Sequence, residues 1–170
     1  MKSWARGAGK RSEPARHYVD ITEFGAPLNT MRQDLADAQT RSAEMLLEAA
    51  HTQSGTHLLV SPVPGGALPL AAIRLGATVD CVVSETGDAR TLKELLVFAG
   101  AADAVRVMSP DELNSTVGAF DAIISAEYLE TLSPRSKASY LAGIDAVLAP
   151  GGRVAMQTIV RTETMLSLIH

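Results

Sequence analysis

Hydrophobic and polar positions from about residue 30 onward predict a first helix that ends in a polar break. Thr30 and Gln33 form a capping box at its start, and residues 51–55 make the break. Its apolar positions recur every three to four residues, as an amphipathic helix requires, at Leu35, Ala38, Met45, Leu46 and Ala49.

The rest of the pattern alternates short apolar runs with longer helical periods. Pro69 lies in the first turn of a helix over 66–75 that Gly76 stops, and Gly100 ends a helix over 88–99. Strands are predicted at 56–60, 78–84, 104–108, 120–125 and 153–160, with a turn at 109–111 and a break at 149–152. Strands that alternate with helices predict βαβ units, a parallel sheet and right-handed crossovers.

Two of the helices show the apolar stripes that we expect to face the core. In the helix over 88–99 the stripe consists of Leu92, Leu95, Leu96 and Phe98. A later helix is capped by Ser133 and Pro134, and its stripe consists of Tyr140, Leu141, Ile144, Val147 and Leu148.

Composition is that of one globular domain. The chain has 170 residues, of which 46% are hydrophobic and 20% charged. Cys81 is the single cysteine and lies in an apolar run, so we expect no disulfide and a reducing, cytoplasmic compartment. No apolar run has the length of a membrane span, and the first residues have no apolar core of the kind that a secretory signal requires.

Charge is unevenly distributed. The net charge of -4 argues against general nucleic-acid binding, yet basic residues crowd the first 16 positions against Glu13 alone. Two interpretations stay open for this basic lead. It is either a flexible tail in solvent or a segment attracted to an anionic surface, such as phospholipid headgroups or an acidic carrier protein.

The segment LLVSPVPGG, residues 58–66, follows the pattern of a first strand and its nucleotide-binding loop. Such loops use glycine so that the backbone turns tightly and its amides meet the ligand. Here Ser61, Pro62, Val63 and Pro64 occupy the start of the loop, where proline lacks an amide donor and valine is stiff. We therefore expect an altered ligand loop.

Three segments carry a family resemblance: HYVDITEF at 17–24, FDAIISAEYLETL at 120–132 and YLAGIDAVLAPGGRVAMQTI at 140–159. They resemble the cyclopropane-fatty-acyl-phospholipid synthases and mycolic acid methyltransferases, and the similarity extends over 17–160. The resemblance implies a Rossmann-like class I methyltransferase fold. It also implies a reaction in which S-adenosylmethionine methylates the double bond of an unsaturated acyl chain and bicarbonate accepts a proton.

The resemblance further implies a cofactor loop at Ser61, Gly65 and Gly66, of which only the two glycines match the family pattern. Relatives have an acidic residue where this chain has Leu59, and often a cysteine near bicarbonate where it has Pro62. One bicarbonate contact is thus replaced.

Carboxylates after later strands complete the implied site. The ribose-binding carboxylate of relatives aligns with Val83; Glu85, two residues on, either reaches the ribose or is a solvated loop acid. Asp111 either accepts from the adenine amino group or favours a helix start. Glu130 aligns with the carboxylate that holds bicarbonate, the alternative being an exposed acid before the Ser133 cap. Glu127 lies one helical turn earlier, where two carboxylates would raise one pKa.

No metal site is predicted, because the four histidines show no ligand spacing. We divide the chain into a basic lead (1–16), an N-terminal helical segment (17–55), a methyltransferase-like core (56–160) and a tail (161–170). Relatives continue with a helix and two more strands, so we expect a fold truncated after strand five. Its exposed edge predicts a homo-oligomer or a partner subunit.

Two hypotheses of function follow. The first is a degenerate, noncatalytic methyltransferase-like domain, either a partner subunit or a truncated copy, and it accounts for both the loop and the short sheet. The alternative is an active S-adenosylmethionine-dependent methyltransferase that adds a one-carbon unit to an unsaturated fatty acyl chain.

Overall fold

The computed structural model describes residues 35–83 and 86–159, which build a central sheet with helices on both faces. All five strands are parallel, in the order β3-β2-β1-β4-β5, which confirms the predicted α/β class. The elements in chain order are α1 (Leu35–Ala49), β1 (His57–Val60), α2 (Ala67–Arg74), β2 (Thr78–Val82), α3 (Thr86–Phe98), β3 (Val105–Met108), α4 (Pro110–Leu113), β4 (Phe120–Ala126), a 3₁₀ helix (Leu129–Thr131), α5 (Pro134–Val147) and β5 (Leu148–Gln157).

The strand order reverses beside β1. The chain proceeds outward from β1 through β2 to β3, then returns to place β4 on the other side of β1, where Leu58 pairs with Ala122 and Val60 with Ile124. In open parallel sheets, ligands bind beyond the carboxyl ends of the strands at such a reversal. The topology therefore directs attention to the loops that follow β1 and β4.

Two apolar clusters cover the two faces of the sheet. One joins α1, α2 and α3 to β1 through residues such as Leu47, Leu68 and Leu96. The other packs α4 and α5 on the opposite face, with Leu113, Tyr140 and Phe120 among its fully buried members. Each face of the sheet thus removes apolar surface from water, as a doubly covered parallel sheet requires.

The buried face of α1 differs from the predicted stripe. Ala43, Leu47 and Ala50 face the core, whereas Met45 is 56% exposed and Ala49 is exposed. Apolar residues lie on several sides of this helix, so periodicity alone does not decide which side packs. The small alanines allow the helix to lie close to the sheet, which the large methionine would prevent.

The stripes of α3 and α5 are narrower than predicted. Leu92 and Leu96 are buried, but Leu95 is 41% exposed and Phe98 is 95% exposed. Phe98 follows Leu96 by two residues, about 200° around the helix, and so points away from the sheet. On α5, Leu141 follows Tyr140 by one residue, about 100° around the helix, and is 43% exposed, while Tyr140, Ile144 and Val147 are buried as predicted.

Local signals at the helix ends are largely confirmed. Gly76 and Gly100 adopt positive φ values of 83° and 69° where α2 and α3 end. Ser133 caps α5 by accepting a hydrogen bond from the Ser136 amide. The predicted turn at 109–111 is wrong, because Ser109 caps the one-turn helix α4 and forms a capping box with Glu112.

The predicted break at 149–152 is also wrong, since β5 begins at Leu148 and runs through these residues. These residues lie in an irregularity of the β4–β5 pairing, between the pair Phe120–Leu148 and the pair Ala122–Arg153. Gly151, within it, has a φ of 81°. Within the described residues β5 forms one edge of the sheet, as predicted. Over the same residues, no helix combines the length and the apolar character needed to cross a membrane.

Candidate functional site

A cleft lies at the strand reversal, beyond the carboxyl ends of β1 and β4. Its volume is about 190 Å³. Residues from α1, from the loop after β1, from the start of α2 and from the ends of β4 and β5 line it: Gln39, Ser42, Ala43, Leu46, Pro64, Gly65, Gly66, Ala67, Leu68, Ala126, Glu127 and Gln157. This is the position at which the topology of a parallel sheet places a ligand.

The backbone N–H groups at the start of the loop after β1 form hydrogen bonds within the protein. The Ser61 amide donates to the Ile124 carbonyl and the Val63 amide to the Val82 carbonyl, each at 3.0 Å. Pro62 and Pro64 have no N–H group. No backbone donor from 61–64 therefore remains for a ligand, which agrees with the altered loop that the sequence predicts.

A buried tyrosine anchors this loop from below. The Tyr140 hydroxyl donates to the Ser61 carbonyl and lies 2.7 Å from Ser125 Oγ at the end of β4. Burial raises the pKa of Tyr140 to about 12, so its hydroxyl stays protonated. Sequence analysis identified Tyr140 only as a core residue, because no local pattern links positions 79 residues apart.

Gly65 and Gly66 both line the cleft, but the space around them differs. A Cβ atom at Gly66 would lie 2.3 Å from Leu95 Cδ2, so glycine there allows α3 to pack against the loop. A Cβ atom at Gly65 would meet nothing within 4 Å. Gly66 thus has a packing role, whereas Gly65 is the position where a side chain would enter open space.

Two carboxylates follow β4. Glu127 has a φ of 54°, in the left-handed region, and its amide donates to the Gln157 carbonyl at 2.9 Å. Burial, and secondarily the charge of Glu130, raise the pKa of Glu127. The predicted proximity of these two acids and the predicted direction of the pKa shift are confirmed. The backbone between the two acids does not form the predicted α-helical turn, because Glu127 is in the left-handed region and Glu130 lies in the 3₁₀ helix that follows.

Glu130 is half-buried, and only one of its two carboxylate oxygens has a hydrogen-bond partner. Its Oε2 accepts a hydrogen bond of 3.0 Å from Thr158 Oγ1, whereas Oε1 is buried and has no hydrogen-bond partner. A buried carboxylate oxygen without a donor is costly, and a functional role is one explanation for such a group in a native protein. The alternative of a fully exposed acid is wrong for Glu130.

The remaining wall comes from α1 and β5, which sequence analysis did not assign to the site. Ser42 Oγ donates to Gln157 Oε1 at 3.2 Å across 115 residues of sequence. Neither residue belongs to a motif, and their separation along the chain gave no signal. The tertiary fold alone brings them to the cleft.

Other predicted site positions lie apart from the cleft. Asp111 is exposed in the first turn of α4, a position that fits the helix-start interpretation. Val83 is 7% exposed and belongs to the core, so the aligned position carries no ribose-binding carboxylate. Glu85 lies outside the described residues.

His57 and Cys81 do not line the cleft and make contacts within the fold. His57 Nδ1 lies 3.0 Å from the Ala119 carbonyl, and its Nε2 lies 3.5 Å from Asp80 Oδ2. Cys81 is buried, and burial followed by the charge of Asp80 raises its pKa to about 12. Among residues 35–83 and 86–159, no three His, Cys, Asp or Glu side chains are placed to hold a metal ion.

Comparisons with known proteins agree with this architecture. The family model for mycolic acid cyclopropane synthetase matches residues 24–168. The tuberculostearic acid methyltransferase UfaA1 of Mycobacterium tuberculosis is 31% identical over 126 residues, which cover 74% of this chain but 29% of that protein. The chain thus spans less than a third of the length of this curated relative.

Solved structures share the fold at low identity. A geranyl diphosphate C-methyltransferase from Streptomyces coelicolor, in complex with S-adenosyl-L-homocysteine, has a TM-score of 0.61 and 19% identity, with coverage of 87% of this chain and 65% of that chain. The [4+2]-cyclase SpnF has a TM-score of 0.69 and 20% identity, with coverage of 78% and 49%. These similarities establish a class I methyltransferase fold.

Proposed function

The chain belongs to the mycolic acid cyclopropane synthetase family, and from that premise we propose that it is a degenerate methyltransferase-like domain, noncatalytic by itself, which serves as a partner subunit or is a truncated copy. Its fold is that of proteins that bind S-adenosylmethionine or its product. Residues 61–64, which open its ligand loop, have no backbone donor left for such binding. We therefore propose that the chain has kept the methyltransferase fold without the methyl-transfer reaction.

The observation that carries the proposal is the loss of donors in the loop after β1. Nucleotide-type ligands are held there by free amides at the start of a helix. In this chain two of the four amides from 61 to 64 are bonded within the sheet and two are absent because the residues are proline. Pro69 removes a further donor from the first turn of α2.

The end of β2 supports the same conclusion. Relatives use a carboxylate there to bind ribose, as the resemblance implies, whereas Val83 is buried in the apolar core. Converting Val83 to an acid would bury a charge among aliphatic side chains, so this face of the site is built for packing. Among the described residues, the start of the loop after β1 and the end of β2 do not fit S-adenosylmethionine, and we derive no methyl-transfer step for this chain.

The alternative is an active S-adenosylmethionine-dependent methyltransferase acting on an unsaturated acyl chain, with a phospholipid surface as a candidate partner, and the half-buried Glu130 is the residue that favours it. Its buried Oε1 has no donor, as expected for an oxygen that shares a hydrogen bond with bicarbonate. However, Pro62 occupies the position of the cysteine that relatives place near bicarbonate. The carboxylate is retained while its neighbour is replaced, which favours the degenerate interpretation.

Titration calorimetry with S-adenosylmethionine and with S-adenosylhomocysteine tests the proposal. We expect no heat of binding and no thermal shift at millimolar ligand. Micromolar binding that Gly65→Trp abolishes and Val117→Trp preserves would overturn the proposal. The tryptophan at 65 enters open space in the cleft, whereas Val117 is 72% exposed in the loop before β4. Gly66 is unsuitable for this test because a side chain there collides with Leu95.

The edge of β5 supports the partner-subunit part of the proposal. Val154 and Ile159 are 38% and 39% exposed on or just after this strand, whose outer backbone groups have no neighbouring strand within the described residues. Unpaired edges with apolar side chains pair readily with another chain. Light scattering at micromolar concentration should give a mass above that of one chain, and a stable monodisperse monomer would exclude self-association.

A further inference from the structure

We propose that the cleft binds a small organic cation, of the alkylammonium class, with the Glu127 carboxylate as its counter-ion. This inference rests on the proposed function, since it takes the cleft to be free of an adenosyl cofactor. It assigns a ligand class to a site whose family resemblance implies an acyl substrate and bicarbonate instead.

Glu127 has an unusual backbone conformation for a residue with a side chain. Its φ of 54° lies in a region that glycine adopts freely and that a side chain with a Cβ atom adopts at a cost. Non-glycine residues in such conformations cluster at ligand sites, where the surrounding structure imposes them. Here the Glu127 amide is held by the Gln157 carbonyl, and the residue lines the cleft.

Among the described residues that line the cleft, Glu127 is the one acid or base, and burial, followed by the charge of Glu130, raises its pKa. Two neighbouring carboxylates repel each other and would repel bicarbonate or a phosphate group. A cation paired with Glu127 in the cleft would offset this repulsion.

Leu46, Leu68 and Ala126 form apolar parts of the wall, while Gln157 contributes an amide whose oxygen already accepts from Ser42. A volume of about 190 Å³ is below the ~300 Å³ at which pockets for drug-sized ligands begin. The cleft therefore suits a charged head with a short hydrocarbon body better than a long acyl chain.

The amino end of α2 is the feature that opposes this assignment. Ala67 and Leu68 begin this helix and line the same cleft, and a helix amino terminus favours an anion. Glu127 itself supplies a negative group on this cleft. An external anion would have to enter beside an existing carboxylate, whereas a cation would pair with it.

Three probes of equal chain length test the proposal on the full-length chain: n-butylammonium, n-butanol and butyrate, each titrated and followed by amide chemical shifts. We expect n-butylammonium to bind at least tenfold more tightly than butyrate, with the largest shifts at Gly65 and Ala126. Glu127→Gln should abolish this preference. Glu48→Gln, which neutralises an exposed acid of α1 that does not line the cleft, should preserve it.

Glu127→Gly adds a readout that does not depend on the probe. Because glycine relieves the left-handed backbone and removes the buried charge, this variant should have a higher Tm while it loses the preference for the cation. Butyrate binding as tightly as n-butylammonium, or an unchanged preference in Glu127→Gln, would overturn the proposal. Titration with S-adenosylmethionine separates the two failures: cofactor binding refutes the proposed function and with it the premise of a cofactor-free cleft, whereas a missing cation preference without cofactor binding refutes this inference alone.

Discussion

Tyr140→Phe is the substitution for which the structure gives the clearest expected cost. The phenyl ring keeps the packing of a side chain that is 1% exposed, so no cavity forms. The change deletes the hydroxyl that donates to the Ser61 carbonyl and lies 2.7 Å from Ser125 Oγ. Two buried polar groups thereby lose a partner in one step.

The magnitude follows from those two groups. A typical hydrogen bond contributes about 1 kcal/mol net, and leaving a buried group unsatisfied costs ~1–3 kcal/mol. We therefore expect Tyr140→Phe to lower the free energy of unfolding by about 2 kcal/mol, which corresponds to a decrease in Tm of roughly 4–8 °C for a domain of this size. Urea denaturation should show a lower midpoint with an unchanged m-value.

A double-mutant cycle isolates the interaction. Ser125→Ala and Tyr140→Phe remove two ends of one contact, so their costs should fail to add by ~0.5–3 kcal/mol. A loss below about 0.5 kcal/mol in Tyr140→Phe would refute the claim that this hydroxyl anchors the loop after β1, whereas strict additivity with Ser125→Ala would refute its contact with Ser125 at the end of β4.

Alkaline pH gives an independent check of the same anchor. An unfolded tyrosine ionises near pH 10, whereas burial raises the pKa of Tyr140 to about 12. The fold favours the protonated hydroxyl, so this contribution to stability is fully present below pH 10 and is lost as the pH rises toward 12. Tyr140→Phe should lack this loss when the two proteins are compared over that range.

Three further predictions concern other parts of the fold. Cys81 should resist thiol reagents in the native protein and react only as urea unfolds it, because burial raises its pKa to about 12; fast labelling in native buffer would contradict its placement. Leu47→Ala should cost ~2–5 kcal/mol and Met45→Ala less than about 0.5 kcal/mol in thermal unfolding, and the reverse order would mean that α1 packs on its other face. Ser109→Ala should cost about 1 kcal/mol through loss of the α4 cap. The backbone N–H of Ser109, and secondarily its hydroxyl, lower the pKa of Glu112, so the stabilisation is present above the unfolded pKa and is lost as pH falls through the lowered value. Carboxyl NMR shifts should show a smaller lowering of the Glu112 pKa in Ser109→Ala, which loses the hydroxyl and keeps the backbone donor.

Elements of the candidate site were predictable where they depend on local sequence. The loop at 61–66 and the pair Glu127 and Glu130 follow strands that the hydrophobic pattern identifies, and residues that follow parallel strands share one edge of the sheet. The close approach of the two acids was therefore expected. The left-handed turn at Glu127 was not, because nothing in the local pattern indicates a positive φ at a glutamate.

Other parts of the site depend on contacts between distant segments. Ser42 and Gln157 meet across 115 residues, and Tyr140 reaches Ser61 across 79. Hydrogen bonds of this kind have no periodicity and no motif. They arise when α1, α5 and β5 pack on the same sheet, and they determine which polar groups remain available to a ligand.

The sequence by itself determined the order of strands and helices, the parallel sheet, the ends of the helices at Gly76 and Gly100, and the altered loop after β1. These properties depend on periodicity and on the restricted backbone of glycine and proline, which act over a few residues. Only the tertiary structure decided that α1 packs through Ala43 and Leu47, that Phe98 faces solvent and that β5 begins at Leu148. Each of these depends on the space between elements, and that space is defined only when the sheet and helices have assembled.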